Sequence, residues 1–481
     1  MATISSALSL ISNALDANQA ALSIVANNVA NANTTGYSRQ VANFQETAPV
    51  VIGGVTYGTG VTETGPTSVR DAVLEQRLAQ QQQLASASGS RLTALNTVQA
   101  LFTPASSSSS SGDIGTDLTN FFSSFSSLEA SPTDNALRQQ VLSTASTLAG
   151  DLSNASASLS SQRTALDQEV SSAASQVNSL TSAIAGLNKE IQSVGSGGDA
   201  NALQDQRQQD LSQLSALIGI NQVTTENNGL SVTTTSGQLL VSEGTSIPLA
   251  TGTVSGVTHF YLGSTDVTAQ LASGGGSLGG NLTARDQDIT GAIASLDQLA
   301  YSVSTQVNAA NNSGATLSGT EGTGTNAAGV TGTGATPLYI FNEPTALSGS
   351  AANMRVIMTD PSQIAAAAFG SGTGDNSNAV TMASLANQSF VNGNTPSGYY
   401  SQFVTQLGAT VSQVTTENTA QNASVTQLQT QVNALSSVNL NDEASSMQQF
   451  ERSYQAASEV FTILNTVISS ALNLGVQTAV A

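Results

Sequence analysis

Hydrophobic side chains at the two ends of the chain follow the same spacing of three and four residues. Near the start, the spacing runs through Ile4, Leu8, Ile11, Leu15, Asn18, Leu22, Val25 and Val29. Near the end, it runs through Met447, Phe450, Tyr454, Ala457, Phe461, Leu464, Ile468 and Ala471. This spacing is typical of helices that pair along one narrow apolar seam. We therefore predict two terminal helices that pair, so that the chain leaves and returns to the same place.

The borders of both terminal helices are marked by capping and breaking residues. The first helix is predicted to end within ANNVANANTTGYSRQ (residues 26–40), because Asn competes for backbone hydrogen bonds and Gly36 tolerates left-handed conformations. The second helix is predicted to start near Asn441, with Asp442 and Glu443 favoured there by the helix dipole. Because an isolated pair of such helices is marginal in water, we expect the termini to order only on assembly.

Between the termini, the pattern changes several times between helix and strand. Residues 41–67 predict a β-hairpin connector, with a flexible loop as the alternative. Helical periods extend over 68–218, 281–312 and 338–439, with Ser- and Gly-rich connectors at 105–112 and 195–198. These ranges form the predicted helical-bundle body.

Two further segments interrupt this body. Residues 219–280 alternate with period two and have Asn228-Gly229 and Ser236-Gly237 at turn positions, so they predict a small inserted β domain of about six strands. Residues 313–337 are rich in Gly and Thr and predict a flexible loop. With 1–40 plus 440–481 as a terminal coiled-coil domain, the predicted fold class is mainly α with β inserts.

The composition excludes several classes of function. The 481 residues include 31 acidic and only 11 basic side chains, a net charge of −20, and no cysteine. Binding to nucleic acid or anionic lipid needs clustered Lys and Arg, which this chain does not have. No apolar run approaches the roughly 20 residues of a membrane span, and residues 1–25 lack the features of a cleaved signal peptide. We expect no nucleic-acid or membrane partner.

Candidate catalytic residues are equally scarce. His259 is the single histidine, and in VTHFYL we expect it to be a surface or packing residue without metal. No nucleophile triad, P-loop or His-Glu-x-x-His motif is present, and the glycine runs at 195–198 and 274–280 are predicted to be loops. We expect Arg207 to form a structural ion pair with Asp205 or Asp210. No catalytic, cofactor or metal site is therefore predicted.

The break after the first helix also carries a resemblance. ANNVANANTTGYSRQ resembles the signature of the axial proteins of the bacterial flagellum, the family of rod, hook and hook–filament junction subunits. Its ending, Tyr37-Ser38-Arg39-Gln40, resembles the FlgK-type junction members in particular. Further similar segments are LQDQRQQDLSQLSALIGI (203–220), GSLGGNLTARDQDI (276–289), GDNSNAVTMASL (374–385) and SSVNLNDEASSMQQFERSYQAASEVFTILNTV (436–467). The resemblance thus covers both termini and the middle.

The resemblance implies a structural subunit of the hook–filament junction, not an enzyme. It implies export through the flagellum's own channel without a cleaved signal peptide, an extracellular location, and self-assembly through the terminal helices. The implied partners are copies of the chain in a ring, the hook protein on one side, a second junction protein and the filament on the other, and an export chaperone on the C-terminal helix. A rod or hook subunit, or a wall-cleaving hydrolase with an axial-type terminus, remain as alternatives.

The expected assembly interface combines the two seams with the signature. Its residues are Ile4, Leu8, Ile11, Leu15, Leu22, Val25, Asn28, Val29, Asn31, Asn33, Gly36, Tyr37, Arg39, Met447, Phe450, Tyr454, Phe461, Leu464 and Ile468. Tyr37 and Arg39 are included because of the resemblance alone.

Overall fold

A computed structural model describes residues 2–52, 54–103, 113–194, 200–225 and 228–477. In chain order, the first half contains α1 (Ala2–Ala30), β1 (Gln40–Glu46), β2 (Val50–Ile52), β3 (Val55–Tyr57), β4 (Val61–Ser68), α2 (Ala72–Phe102), α3 (Ile114–Ala130), α4 (Asn135–Val194) and α5 (Asn201–Leu217). The connectors predicted at 105–112 and 195–198 lie outside the described residues.

The second half begins with strands and ends with the two longest helices of the C-terminal region. It contains β5 (Ile220–Thr224), β6 (Leu230–Thr234), β7 (Leu239–Ser242), β8 (Thr245–Ser246), β9 (Leu249–Val254), β10 (Val257–Leu262), β11 (Thr265–Asp266), α6 (Thr268–Gly274), α7 (Gly276–Thr283), α8 (Thr290–Asn312), α9 (Ser350–Asn353), α10 (Ser377–Ser384), α11 (Pro396–Ser436) and α12 (Leu440–Gln477). A π-helical turn, Ala284–Ile289, joins α7 to α8. The prediction of a mainly α protein with β inserts is confirmed.

The two termini meet as one unit. The helices α1 and α12 pack side by side in opposite directions, since Asn28 near the end of α1 contacts Glu443 at the start of α12. Between α1 and the body, β1 and β4 form an antiparallel ribbon whose outer end carries the small hairpin of β2 and β3. The ribbon lies along α1, with Leu10 against Gly60.

The body is organised along α4, which is 60 residues long. Its first half shares a core with α2, α3, α8, α10 and α11, and this core includes the fully buried Phe121 and Phe125. Its second half shares a core with α5, α7 and the inserted strands. The aromatic cluster of α3 is thus a packing feature, as its spacing predicts.

The inserted strands form two antiparallel sheets, ordered β5-β6-β7-β8 and β9-β10-β11. Asn228 and Gly237 have positive φ angles at the turns that enter β6 and β7. Two asparagines of α4 hold the sheets: Asn188 donates to the Leu230 carbonyl, and Asn178 donates to the Leu249 carbonyl. His259 lies on β10 and hydrogen-bonds Asp266 at 2.7 Å, near the surface.

The loop prediction for residues 274–280 is wrong, because Gly276–Thr283 forms α7. The glycines are used here for close packing. A Cβ at Gly280 would lie only 2.1 Å from the carbonyl oxygen of Ala87 on α2, and a Cβ at Gly279 would lie 2.7 Å from the carbonyl oxygen of Leu271. Glycine therefore allows α7 to approach its neighbours more closely than any other residue would.

Residues 313–337, predicted to be a flexible loop, contain a repeated, hydrogen-bonded turn. The sequences ATLSGTEGTG (315–324) and TNAAGVTGTG (325–334) share four positions. Gly322 N–H donates to the Gly314 carbonyl, and ten residues later Gly332 donates to Gly324. In the same way, Gly324 donates to Asn312 and Gly334 to Gly322. The backbone satisfies its own polar groups, so little apolar burial is needed.

Residues 338–359 return the chain to the body with less strand structure than MRVIMT (354–359) suggests. Within it, Val356 forms an isolated bridge to Phe341. No helix in the described ranges is both long enough and apolar enough to cross a membrane.

Candidate functional site

The α1–α12 pair brings most of the predicted seam residues together. Ile11 and Val25 are buried, and half-buried side chains complete the seam. These half-buried residues are Leu8, Leu15, Leu22, Met447, Phe450, Phe461, Leu464 and Ile468. The side chain of Ile4 lies outside the described part of the structure, and Tyr454 is exposed. The pair therefore excludes water only partly along its length.

A second face of α1 is more deeply buried than the predicted seam. Ala17, Ala21 and Ile24 are 3%, 0% and 9% exposed and follow the same spacing, shifted by one residue from Leu22 and Val25. This face reflects the contacts that α1 makes with the ribbon as well as with α12. Sequence analysis missed it because alanine fits both seam and surface positions. The regular spacing of Ala17, Ala21, Ile24 and Asn28 was the available signal.

Asn28 is the centre of the signature. Its side-chain oxygen accepts from the Gln40 N–H at 2.9 Å and from the Tyr37 hydroxyl at 2.8 Å. Its amide nitrogen donates to the Gln40 carbonyl at 2.8 Å and to Glu443 Oε2 at 3.0 Å. All four hydrogen-bonding positions of the amide are used, and the side chain is 1% exposed. Asn28 thus ties α1, the start of β1 and α12 together.

Glu443 is a buried tie between the termini rather than only a first-turn acid. Its side chain is 4% exposed, and Oε1 lies 3.8 Å from Arg39. The Arg39 N–H also donates to the carbonyl of Ser436, the last residue of α11. The helix-dipole interpretation of Asp442 and Glu443 therefore missed the main contact of Glu443. A buried carboxylate needs a charged or hydrogen-bonding partner, which Arg39 and Asn28 supply.

Ser38 connects this terminal unit to the body. Its N–H donates to Asp205 Oδ2 at 3.4 Å, and its hydroxyl accepts from Arg70 Nε at 3.1 Å. Arg70 and Asp205 also form an ion pair with each other. Two residues earlier, Gly36 has a φ of +80°, and its backbone approaches Gln209 of α5. The signature is therefore an elbow between the terminal helices and the body.

The predicted ion pair of Arg207 is wrong, because Asp205 pairs with Arg70 instead. Arg207 donates to Asn188 Oδ1 at 2.7 Å and to the Asn228 carbonyl at 2.8 Å. Burial, with a smaller contribution from the charge of Arg70, lowers the pKa of Arg207 to about 10. The side chain links α5 to α4 and to the inserted strands.

Other residues of the signature remain on the surface. Val29, Asn33 and Gly36 are exposed, and Asn31 bonds back to Asn27 within its own helical turn. The interface role predicted for these residues stays a prediction.

The helix α12 carries a second apolar stripe that nothing in the described chain covers. Val460, Ile463 and Val467 are 46%, 62% and 49% exposed, and they lie roughly a third of a turn from the seam. A groove of about 460 Å³ follows this stripe, lined by Thr462, Ile463, Thr466, Val467, Ser470 and Ala471. Within the described ranges, no three His, Asp or Glu side chains come together as metal ligands. The stripe is therefore an apolar surface of α12 that is open in the single chain.

Comparisons with known proteins agree with this architecture. A family model described as "Flagellar hook-associated protein FlgK helical domain" matches residues 95–326, and one described as "Flagella basal body rod protein" matches residues 10–37. The chain is 26% identical to flagellar hook-associated protein 1 of Escherichia coli (strain K12), over 97% of this chain and 100% of that protein. It is 27% identical to the protein of the same name from Bacillus subtilis (strain 168), with 96% of each chain covered.

A solved structure shows a similar fold. The flagellar hook junction protein FlgK from Burkholderia pseudomallei superposes with a TM-score of 0.63 and 21% sequence identity, over 74% of this chain and 99% of that one. The start of the chain therefore resembles rod proteins, whereas residues 95–326 and the two relatives resemble hook-associated proteins. Over nearly its whole length the chain is thus similar to flagellar hook-associated protein 1, and this similarity supports a structural subunit of the bacterial flagellum.

Proposed function

We propose that this subunit forms the junction between the hook and the filament, and that it self-assembles there through its N- and C-terminal helices after export. Its proposed partners are further copies in a ring, the hook protein on one side, and a second junction protein and the filament on the other. The names of the relatives, hook-associated and hook junction protein, support this position. The rod model matches only residues 10–37, so a rod role has less support.

The uncovered stripe of α12 is the observation that carries the assembly proposal. The seam residues of α1 and α12 are used within one chain, so contacts between copies need another surface. Val460, Ile463 and Val467 supply one, because three neighbouring exposed aliphatic side chains are costly to leave in water. No charged side chain lies between Glu459 and the end of the sequence, so neighbouring copies meet no charge repulsion there.

The same stripe must be shielded from other apolar surfaces before the chain reaches the flagellum. An exposed apolar helix face promotes aggregation, and an export chaperone that holds α12 in a groove would prevent it. We therefore also propose that an export chaperone binds α12, that the chain is exported without a cleaved signal peptide, and that it is located outside the cell.

The experiment that tests assembly is Ile463→Asp, expressed in cells that lack their own copy of the gene. Because Ile463 is mostly exposed in the monomer, the variant should fold normally, but a charge at the contact between copies should prevent its incorporation into flagella. Isolated flagella and culture medium are probed with an antibody against the chain. The expected result is variant protein in the medium and none in the flagella.

Gln455→Asp is the matched control, because Gln455 is exposed on the polar side of the same helix. It should be incorporated like the unchanged chain. Incorporation of Ile463→Asp at the normal level would show that the stripe is not an assembly contact. Retention of Ile463→Asp inside the cell would assign the stripe to export instead.

A further inference from the structure

The outer hairpin, β2 with β3, is a second apolar surface that the chain leaves open. Val50, Val51, Val55 and Tyr57 are 45%, 65%, 54% and 44% exposed. No charged residue occurs between Glu46 and Glu63. A two-stranded hairpin of three residue pairs is not stable alone in water. Packing of these apolar side chains on another surface would stabilise it.

The outer hairpin and the stripe of α12 lie at the same end of the molecule. The ribbon starts at Gln40, beside Asn28, and runs back along α1 until Gly60 lies against Leu10. The outer hairpin extends beyond that point. Because α12 runs opposite to α1, its residues after Val460 also lie at this free end.

The two surfaces match in length and character. Three residue pairs of a hairpin are about 10 Å long, and the helix rises about 10 Å from Val460 to Val467. Both surfaces are largely apolar and carry no charge. Yet Val51 and Ile463 are each more than 60% exposed in the single chain, so the hairpin does not cover the stripe of its own chain.

We propose that the outer hairpin of one copy packs on the Val460–Ile463–Val467 stripe of a neighbouring copy. This contact rests on the proposed assembly and names the surface that covers the stripe. The contact joins two different surfaces, one on each copy. If the rotation between neighbouring copies divides a full turn evenly, repeated contacts form a closed ring in which every hairpin and every stripe is covered. Each chain has one outer hairpin and one stripe, so neighbouring copies can cover both surfaces with a single kind of contact. An unrelated partner would need two separate binding surfaces to cover both.

The absence of cysteine allows a direct test by disulfide cross-linking in assembled flagella. Cells that lack their own copy of the gene express two chains together, one with Val51→Cys and one with Ile463→Cys. After mild oxidation, a band of twice the 48.5 kDa chain mass is expected on a non-reducing gel. Either variant expressed alone should give little of this band.

The matched control replaces Val51→Cys by Val254→Cys, an exposed valine on β9, and should give no dimer with Ile463→Cys. Flagella that contain both Val51→Cys and Ile463→Cys but yield no dimer above this control would overturn the hairpin contact. The assembly proposal would still stand in that case, since it is tested by incorporation.

A second variant tests the contact without cross-linking. Val51→Asp places a charge against the neighbouring stripe and should lower incorporation by about tenfold or more, while Val254→Asp should have no effect. The circular dichroism spectrum of purified Val51→Asp should be unchanged, because Val51 is exposed in the monomer. Normal incorporation of Val51→Asp would overturn the contact, whatever the cross-linking result.

Discussion

The body and the terminal unit are both built from long helices, but they bury their apolar residues to different degrees. In the body, Phe121, Leu148 and Leu152 are fully buried. In the terminal pair, Leu15 and Leu464 remain half-buried at equivalent seam positions. The difference teaches that a heptad seam alone does not define a finished core. The core of the body is buried within one chain, whereas the terminal unit leaves apolar side chains exposed to solvent.

The comparison is sharpest for truncations of large side chains. Phe121→Ala should lower the free energy of unfolding of the monomer by about 3–5 kcal/mol, because it removes a ring packed on Phe122, Phe125 and Phe341. Leu464→Ala should cost about 1 kcal/mol, because the leucine is only half-buried. Urea denaturation of each purified variant measures both values, and equal losses would contradict the comparison.

Asn28→Ala should loosen the terminal unit while leaving the body intact. The change removes the partners of Gln40 and one partner of the buried Glu443, at a cost of about 2–3 kcal/mol. Hydrogen exchange measured by mass spectrometry should show faster exchange in α1 and α12 and no change in α3. Asn31→Ala is the control, because the Asn31 side chain bonds to its sequence neighbours Asn27 and Thr34 on the surface, and its effect should be small.

A pair of acids, Asp117 and Asp151, gives the body a pH dependence. Burial, a hydrogen bond with Asp151, and the charges of Asp151 and Asp113 raise the pKa of Asp117 to about 7, from an ordinary value of 3.8. On the same side, burial and the charges of Asp113 and Asp117 raise the pKa of Tyr400 on α11 to about 12. Between about pH 4 and pH 7, the carboxyl of Asp117 is therefore protonated in the folded protein and ionised in the unfolded chain.

Because the folded pKa is the higher one, stability from this pair is present at low pH and is lost as the pH rises from about 4 to 7. The loss should be at most ~2 kcal/mol, since Asp117 is partly solvated and its charge is screened. Urea midpoints measured at pH 4.5 and 7.5 test this slope. Asp117→Asn should flatten it, and an unchanged slope in that variant would assign the pH dependence to other groups.

The smallest expected effect is that of Ile463→Ala on the monomer. Since the side chain is 62% exposed, the free energy of unfolding should change by no more than about 0.5 kcal/mol. The same substitution should still weaken incorporation into flagella. A large loss of monomer stability would mean that the stripe is already covered within one chain.

The sequence predicted what depends on local period and missed what depends on tertiary contact. The helices and the inserted strands follow from periods of 3.6 and 2, and the terminal seams follow from spacing alone. The helix α7 was missed because a run of glycines usually predicts a loop. Here the glycines instead let α7 pack closely against Ala87 of α2, and that contact is not visible in the local sequence. The ties of Asn28 to Glu443 and of Ser38 to Asp205 join residues far apart in sequence. No local pattern could have paired them.

The ten-residue repeat of residues 315–334 has a consequence for how such proteins change in size over evolution. Its second unit donates to carbonyls of the first in the same way that the first donates to the carbonyls of Gly314 and Asn312. A third unit of ten residues would therefore find the carbonyls of Gly334 and Gly332 in the equivalent positions. Duplication of thirty nucleotides would thus lengthen this segment by one unit whose backbone polar groups are already matched.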